Sequence, residues 1–240
     1  MLVLGHRGAK AYAPENTIPA FRKAIEQGAD GIELDVHLTK DQQLVVCHNF
    51  DVKDTSNRSG LIRNMTLSEL KALDFGVKFS PQYAGTQIPT LCEALEAVRE
   101  MKVINIELKS DGFSYPALPK LACQLVKELC LEKKVLFSSF DHNIAIRCKE
   151  YLPDTKVGLL YEHKIKDPAQ YCWDLGADAI HPHHRLVRKM HVTACRSLGI
   201  DVNVWTVNSV SETKKFLRWG CNSIITNTPD VMIQAIKEAE

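Results

Sequence analysis

The sequence lacks several features that would define other classes of protein. No apolar run approaches the roughly 20 residues that a helix needs to cross a bilayer. Residues 1–7 contain no basic segment leading into an apolar stretch, so we expect a cytoplasmic protein without a signal peptide. The net charge of +1 provides no basic excess, which argues against a general nucleic-acid-binding protein.

Paired cysteine motifs are also missing. The eight cysteines include no C-x-x-C pair and are scattered through apolar segments. In a chain of 240 residues without a secretory signal, this pattern is typical of buried free thiols rather than of a disulfide framework. With 45% hydrophobic residues the chain fits one globular domain with a large core, although two small domains would also fit.

Short β-branched or apolar runs alternate with helical patterns along most of the chain. The strand candidates are residues 2–6, 31–38, 44–48, 103–108, 135–140, 157–161, 178–182, 202–207 and 223–227. The helix candidates are residues 16–28, 90–101, 116–131, 142–151, 167–175, 186–198, 209–219 and 229–238.

The connection between the second and third strand candidates determines the predicted fold. Only residues 39–43 separate them, whereas a parallel crossover needs about a dozen residues or more, so these two runs must form an antiparallel hairpin. Removing the hairpin arm 44–48 leaves parallel strands that alternate with helices, which predicts an α/β fold of the (β/α)8 TIM-barrel type. An open doubly wound sheet is the alternative, but no Gly-rich fingerprint follows the first strand.

Residues 49–88 interrupt the alternation of strands and helices. They are polar and carry one helical pattern, from Thr66 to Leu73, which a capping box opens. So long a segment within a compact fold is usually functional or a small subdomain. We therefore expect a single barrel domain over residues 1–240, with a small inserted subdomain at 49–88 after the second strand.

Charged side chains follow the strand candidates where barrel enzymes carry their functional groups, at the C-terminal ends. Glu33 and Asp35 lie two residues apart, as do Glu107 and Lys109, so each pair points to one face of its strand. Buried charges are costly unless they are paired or bound to a metal, and oxygen ligands suit Mg²⁺ or Ca²⁺. The carboxylates predict a divalent-cation site; the alternative is a structural ion-pair network with Arg7 and Lys109.

Two histidines accompany these carboxylates, His6 at the end of the first strand and His48 at the end of the hairpin arm. If the hairpin turn centres between Asp41 and Gln42, antiparallel pairing places His48 opposite Asp35. One imidazole could accept a proton from a nucleophile while the other donates one to a leaving oxygen. With a cation and nearby basic side chains to stabilise phosphoryl charge, this set predicts cleavage of a phosphate ester.

Three further positions and one histidine tract are candidates for the site. Asn16 precedes the first helix and is either its N-cap or a substrate-binding residue. Phe140 and Trp205 lie toward the C-terminal ends of their strand candidates and either line a pocket or fill the barrel. The tract 181–184, His-Pro-His-His, has no nearby carboxylate or cysteine to complete a zinc site, so we expect a polar loop.

Eight short motifs occur in order over the whole chain. They are His6-Arg7-Gly8, Pro14-Glu15-Asn16-Thr17, Glu33-Leu34-Asp35-Val36, Val45-Val46-Cys47-His48, Ile88-Pro89-Thr90-Leu91, Asn105-Ile106-Glu107-Leu108-Lys109, Ser138-Ser139-Phe140 and Val204-Trp205-Thr206-Val207-Asn208. Together they closely resemble the glycerophosphodiester phosphodiesterase family. The resemblance implies a (β/α)8 barrel with a small insertion, and hydrolysis of a small-molecule glycerophosphodiester to glycerol 3-phosphate and an alcohol with one divalent cation, Mg²⁺ or Ca²⁺.

The resemblance also implies individual roles. The implied sets are Glu33, Asp35 and Glu107 as metal ligands, His6 and His48 as the acid/base pair, Arg7 and Lys109 as phosphate ligands, and Phe140 and Trp205 as pocket residues. Two departures stand out: Asn49 replaces the aspartate that usually follows the second histidine, and Asp54-Thr55-Ser56 stands where the family has Arg-Thr-Thr. We expect these changes to affect substrate handling or the orientation of His48 rather than the type of reaction.

Two other functions remain open at this point. A (β/α)8 barrel with a metal could be a phosphosugar isomerase or aldolase, or a non-catalytic phosphate-binding protein, because fold alone does not choose among them. An isomerase would need a base beside a carbonyl carbon and would not need two histidines flanking phosphorus. Retention of both His6 and His48 favours a hydrolytic enzyme, and a homodimer is compatible with all three functions.

Overall fold

Strands and helices alternate throughout residues 1–110 and 117–239, the part of the chain that the computed structural model describes. The strands are β1 (Leu2–His6), β2 (Gly31–Leu38), β3 (Leu44–Val46), β4 (Val103–Leu108), β5 (Val135–Ser139), β6 (Lys156–Tyr161), β7 (Ala179–Pro182), β8 (Asp201–Val204) and β9 (Ser223–Thr226). The helices are α1 (Ile18–Glu26), α2 (Leu67–Lys71), α3 (Leu91–Val98), α4 (Ala117–Glu128), α5 (His142–Tyr151), α6 (Pro168–Asp174), α7 (Lys189–Ser197), α8 (Val210–Trp219) and α9 (Pro229–Lys237).

Eight of these strands form a closed parallel barrel. Their order is β1-β9-β8-β7-β6-β5-β4-β2, and β1 pairs with β2 to close the ring. Strand β3 lies outside the ring and pairs antiparallel with β2. The predicted (β/α)8 barrel with a hairpin arm is therefore confirmed. The helix candidate 116–131 corresponds to α4, which is described from Ala117. Its predicted first residue, 116, lies outside the described residues.

The main core lies between the barrel wall and the surrounding helices. On β2 the apolar residues Ile32, Leu34 and Val36 are fully buried and belong to one cluster with Phe21 of α1 and Leu95 of α3. Burial of each such side chain contributes about 1.5–3 kcal/mol relative to exposure. Because residues alternate along a strand, this outward packing directs Glu33 and Asp35 into the barrel.

The hairpin of β2 and β3 differs in register from the prediction. Val36 pairs with Val46 and Leu38 with Leu44, and the Cys47 amide donates to the Asp35 carbonyl at 3.0 Å. Cys47, and not His48, therefore lies opposite Asp35, so the predicted pairing is wrong by one residue. The reason is the turn, which centres on residue 41 because Gln42 adopts a left-handed conformation with φ 59°.

Residues 49–88 contain α2, three short 3₁₀ turns and a hydrophobic cluster that includes Val52, Ile62, Leu70 and Phe75. The predicted capping box is confirmed at α2: Glu69 N donates to Thr66 Oγ1, and Thr66 N donates to the Glu69 carboxylate at 2.7 Å. The cluster also includes Val45 and Cys47 of the hairpin arm, so this segment packs against the barrel. The division of the chain into a barrel and an inserted subdomain stays a prediction.

All eight cysteines are free thiols, as predicted, although Cys92 and Cys130 are exposed rather than buried. No helix among the described residues is both long enough and apolar enough to cross a membrane.

Candidate active site

The parallel register of the barrel brings the predicted carboxylates together. His6 lies in register with Glu33, and Asp35 with Glu107. Glu33, Asp35 and Glu107 each offer an oxygen within 4.8 Å of the others, and all three side chains are buried. Within residues 1–110 and 117–239 this is the one group of three or more acidic, histidine or cysteine side chains with ligand atoms so close. These carboxylates are referred to below as the acidic triad.

Two cationic side chains neutralise part of the triad's charge. Lys109 Nζ lies 2.7 Å from Glu107 Oε1 and 3.2 Å from Asp35 Oδ1. Arg7 Nε lies 3.5 Å from Asp35 Oδ2. The ion-pair network considered from the sequence is therefore present, but it sets two positive charges against three carboxylates. One negative charge is left over if all three carboxylates ionise.

The pKa values of the triad reflect this imbalance. Burial and the neighbouring Asp35 and Glu107 carboxylates raise the pKa of Glu33 well above its usual range. Burial also raises the pKa of Glu107 to about 7, although the Lys109 ammonium acts in the opposite direction. Burial acts to raise the pKa of Asp35 as well, but the Lys109 and Arg7 cations outweigh it and hold that pKa far below its usual range. A bound cation would relieve the repulsion among these groups.

The turn after β1 positions Arg7 against two carboxylates, those of Glu33 and Glu15. Arg7 (φ 55°) and Gly8 (φ 81°) adopt left-handed conformations, and a Cβ at Gly8 would lie 2.6 Å from the Ala20 carbonyl carbon. Only glycine fits there without strain. The turn directs the Arg7 amide to Glu33 Oε2 at 3.0 Å and its side chain to Glu15 Oε1 at 2.8 Å. The His-Arg-Gly motif is thus explained by backbone geometry.

Asn16 does not cap helix α1, because Thr17 occupies the N-cap position. Asn16 is buried with φ 57°, and its side chain bonds to Asp35 twice. Its Nδ2 donates to Asp35 Oδ2 at 2.8 Å, and its Oδ1 accepts from the Asp35 amide at 3.3 Å. The structure therefore gives Asn16 the role of orienting a member of the acidic triad.

Each histidine of the predicted acid/base pair is held through Nδ1 by an asparagine oxygen. His6 Nδ1 lies 2.7 Å from Asn227 Oδ1, and His48 Nδ1 lies 2.6 Å from Asn49 Oδ1. Asn49 Nδ2 in turn donates to Asp54 Oδ2 at 2.8 Å. Because an amide oxygen accepts, both rings donate from Nδ1 and leave Nε2 free to accept or deliver a proton.

The pKa values of both histidines are lowered. Burial, together with the Arg7 and Lys10 cations, lowers the pKa of His6 to about 3. Burial also lowers the pKa of His48, while the Asp35 carboxylate acts in the opposite direction. His6 is therefore neutral at pH 7, the form in which an imidazole can accept a proton.

A cavity of about 380 Å³ opens at the C-terminal ends of the strands. Its lining residues are His6, Arg7, Glu33, His48, Asn105, Glu107, Phe140, Leu160, Glu162, Trp205 and Ile225. Seven of the ten residues predicted for the site are among them. The other three are not among the lining residues, and Asn16 and Lys109 each bond to the third, Asp35.

Phe140 and Trp205 meet in one wall of this cavity. Their rings pack edge to face with centroids 5.5 Å apart, and Trp205 Nε1 donates to the His181 carbonyl at 2.7 Å. Phe140 remains 44% exposed, so its ring is available to a ligand rather than filling the barrel.

The histidine tract is only in part the polar loop that the sequence predicts, because His181 and Pro182 belong to β7 whereas His183 and His184 lie beyond it. His181 is fully buried inside the barrel, where Asn203 Nδ2 lies 3.0 Å from its Nε2. His184 Nδ1 lies 2.8 Å from the Glu212 carboxylate, and the His183 ring packs against Trp205. The prediction fails for His181 because alternation along β7 turns this side chain inward.

Sequence reasoning assigned no role to Glu15, Asn105, Glu162 or Asn227. Glu15 and Asn105 belong to two of the eight motifs, and Asn227 ends the last strand candidate, so position alone could have indicated these three. Glu162 follows β6 and gave no motif.

The carboxylates, cations and histidines that meet at this cavity have the chemistry of a site that cleaves phosphate esters. A model of the glycerophosphoryl diester phosphodiesterase family matches residues 6–231. The chain is 38% identical to a glycerophosphodiester phosphodiesterase of Caldanaerobacter subterraneus subsp. tengcongensis, covering 99% of this chain and 98% of that protein. It is 35% identical to one of Bacillus altitudinis, covering 98% of each.

Solved structures agree with these sequence matches. An Oleispira antarctica phosphodiesterase, solved in complex with its product sn-glycerol 3-phosphate, superposes with a TM-score of 0.92 at 28% identity, covering 99% of this chain and 97% of that one. A glycerophosphodiester phosphodiesterase of Agrobacterium tumefaciens superposes with a TM-score of 0.86 at 27% identity, covering 98% and 99%. The chain belongs to the glycerophosphoryl diester phosphodiesterase family.

Proposed function

We propose that this cavity hydrolyses glycerophosphodiesters to glycerol 3-phosphate and an alcohol, with His6 as general base and His48 as general acid. The observation that carries the proposal is the placement of both rings in one cavity with Glu33 and Glu107. The Oleispira phosphodiesterase, which binds glycerol 3-phosphate as product, supports the same choice of substrate.

The acidic triad fits a divalent cation. Its three buried carboxylates carry more negative charge than Arg7 and Lys109 neutralise, and oxygen donors suit Mg²⁺ or Ca²⁺. Glu33, Asp35 and Glu107 would hold the ion, which when bound would stabilise negative charge on the phosphoryl oxygens. Arg7, which lines the same cavity, would contribute to the same end as a phosphate ligand.

His6 is suited to the role of base because it is neutral at pH 7. Its Nδ1 proton is donated to Asn227, so the lone pair on Nε2 can accept a proton from the attacking hydroxyl. The attacking group is either water or the substrate's own 2-hydroxyl, which would give a cyclic phosphate first. His6 is the last residue of β1 and adjoins Arg7, and on this ground our proposal puts it on the glycerol side of phosphorus.

His48 is suited to the role of acid because of its position. It comes from the hairpin arm and bonds through Asn49 to Asp54 of the 49–88 segment, on the side where the alcohol would depart. Protonated at Nε2, it would deliver that proton to the leaving oxygen. An alkoxide of high pKa cannot depart without such help, whereas a nitrophenolate can.

The division of labour is tested with two substrates and two variants. We expect His48→Ala to lower the rate on glycerophosphocholine by about 10²–10⁴-fold, the usual scale of acid/base catalysis, and to spare a nitrophenyl ester. His6→Ala should slow both substrates. An equal loss on both substrates in His48→Ala would contradict the assignment, and product analysis with and without chelator checks the overall reaction.

Several finer points stay predictions. They are the identity of the ion, the direct contact of Lys109 and Asn16 with substrate, a homodimer and a cytoplasmic location. No observation in the cavity favours an isomerase, an aldolase or a non-catalytic phosphate-binding protein over the hydrolase.

A further inference from the structure

Asn105 is a buried polar residue that the reaction described above does not use. It lies on β4, lines the cavity and is fully buried. Its Oδ1 accepts a hydrogen bond from Ser138 Oγ at 2.9 Å, but its Nδ2 has no hydrogen-bond partner among the described residues. A buried donor without a partner is expensive, so such a group in a native cavity calls for an explanation.

The orientation of this amide follows from its neighbours. Asn105 is in register with Glu33 across the strand pair and precedes Glu107 by two residues, so all three side chains share the inner face of the barrel. Ser138 fixes one end of the amide. If the amide were reversed, its carbonyl would be unpaired beside two acidic residues, whereas the observed orientation presents N–H groups to this region.

The side chains around Asn105 determine which kind of ligand group fits beside its amide. Arg7 and Lys109 place their side-chain cations against Asp35 and Glu107, whereas Asn105 lies level with the Glu33 carboxylate, so an anionic group is not favoured beside the amide. A hydroxyl group, in contrast, can accept from Asn105 Nδ2 and donate to a carboxylate at the same time. The substrate's glycerol moiety and water both carry such an O–H group.

Depth in the cavity distinguishes the hydroxyls of the substrate. The acidic triad spans two levels: Asn105 lies level with Glu33 and two residues, or about 6.6 Å, deeper along β4 than Glu107. With phosphorus at the upper level, beside Glu107 and the Arg7 and Lys109 cations, the 2-hydroxyl of the glycerol moiety stays near the reacting atoms. The terminal hydroxyl is one carbon further from phosphorus and is the group that can reach the cavity floor.

We infer that Asn105, oriented by Ser138, binds the terminal hydroxyl of the glycerol moiety and makes the enzyme selective for glycerol over shorter or deoxygenated alcohols. The inference rests on the proposed function and adds a specificity-determining residue to it. A site built to hydrogen-bond a hydroxyl rejects the analogue that lacks it, because the buried donor is then left unpaired.

The test compares glycerophosphocholine with (2-hydroxypropyl)phosphocholine, which keeps the 2-hydroxyl and replaces the terminal CH₂OH by a methyl group. We expect the native enzyme to favour glycerophosphocholine by about 10–100-fold in kcat/KM, the usual cost of one unpaired buried donor. Asn105→Leu should lower kcat/KM for glycerophosphocholine by that factor and change kcat/KM for the analogue by less than about 3-fold. Calorimetric binding of glycerol 3-phosphate and of 1,2-propanediol phosphate provides the same comparison without turnover.

Asn203→Leu is the matched control. Asn203 is also buried inside the barrel and also bonds a serine, Ser223 Oγ donating to its Oδ1 at 2.7 Å, but it does not line the cavity. It should destabilise the protein and leave the preference between the two substrates unchanged. If Asn105→Leu does not fold, Ser138→Ala is the second variant. It removes the hydrogen bond that orients the Asn105 amide but leaves the amide in place, so it should reduce the preference for glycerophosphocholine by a smaller factor.

Three results would overturn the inference. The first is an equal loss of kcat/KM on both substrates in Asn105→Leu, which is expected if the amide binds only water. The second is a loss of the preference for glycerophosphocholine in Asn203→Leu. The third is a native enzyme that cleaves both substrates equally well. In all three cases the proposed hydrolysis still stands. A native enzyme that cleaves neither substrate and binds neither product would instead contradict the proposed function itself.

Discussion

The two walls of the cavity have opposite characters. The wall from β1, β2 and β4 carries charged groups linked by short ion pairs, such as that between Lys109 and Glu107 at 2.7 Å. The facing wall carries Phe140, Leu160, Trp205 and Ile225, which are aromatic or aliphatic, together with one carboxylate, that of Glu162. Within one barrel the first wall therefore supplies charge at fixed positions, while the second offers shape and excludes water.

The charged wall is costly for the folded protein. Desolvation of buried carboxylates is repaid only where each has a partner, and the triad has more carboxylates than cations. The apolar wall carries no such cost, since burial of its side chains is favourable. Such an arrangement is typical of sites where stability is given up for activity. Substitutions in the two walls should accordingly have different consequences.

The largest effect is expected when the charged wall loses one carboxylate. Glu33→Gln should lower kcat by about 10³-fold or more, because a bound cation contributes several kcal/mol of transition-state stabilisation. In metal-free protein the same change should leave stability unchanged or raise it by about 1 kcal/mol, because a buried carboxyl group with a raised pKa destabilises the folded state above its ordinary pKa. Initial rates and thermal unfolding measure the two quantities.

Glu26→Gln is the control for this change, because Glu26 is an exposed carboxylate at the end of α1. It should alter neither rate nor stability. Added Mg²⁺ or Ca²⁺ should raise the unfolding temperature of the native protein more than that of Glu33→Gln. Full activity in excess chelator would show that the acidic triad does not act through a metal.

A smaller effect is expected in the apolar wall. Trp205→Ala removes the ring that packs against Phe140 and lines the cavity, so we expect KM to rise by about 10-fold while kcat falls less. Trp173→Ala, an exposed tryptophan on α6, should change neither constant. A fall in kcat alone would mean that this wall takes part in the chemistry and that the contrast between the walls is wrong.

Much of this arrangement could be read from the sequence because it depends on local periodicity. The bounds of β1, β2 and β4 match the predicted runs, and the alternation in β2 placed Glu33 and Asp35 on the inner face. The position of His48 relative to Asp35 was missed, because it depends on the left-handed conformation of Gln42. A non-glycine residue in that conformation leaves no pattern in the chain.

Roles that depend on distant contacts were harder to predict. The sequence offered a helix cap or a substrate-binding role for Asn16 and not its contact with Asp35, since that partner lies 19 residues away in the chain. Asn105 reads as one polar residue in an apolar strand, and its bond to Ser138, 33 residues away, exists only once β4 and β5 pair. Neither contact can be derived from residue type and spacing alone.

The smallest predicted effect concerns the boundary between the charged wall and the 49–88 segment. Asn49 accepts from His48 Nδ1 at 2.6 Å through a neutral amide oxygen. In Asn49→Asp a carboxylate would take this place and stabilise the protonated ring, so the pKa of His48 should rise. Since a general acid must be protonated, the rate on glycerophosphocholine falls as pH rises through that pKa. The alkaline limb of the profile should therefore move to higher pH.

Asp54 complicates this variant and also provides its control. Asn49 Nδ2 now donates to Asp54 Oδ2 at 2.8 Å, and Asn49→Asp would set two carboxylates against each other. The double variant Asn49→Asp with Asp54→Asn exchanges the partners, so the hydrogen bond is kept and the charge lies directly beside His48. It should shift the alkaline limb in the same direction without the repulsion. The profile for a nitrophenyl ester should not move in either variant, because its leaving group needs no proton; a matching shift there would mean that His48 acts in binding rather than as the acid.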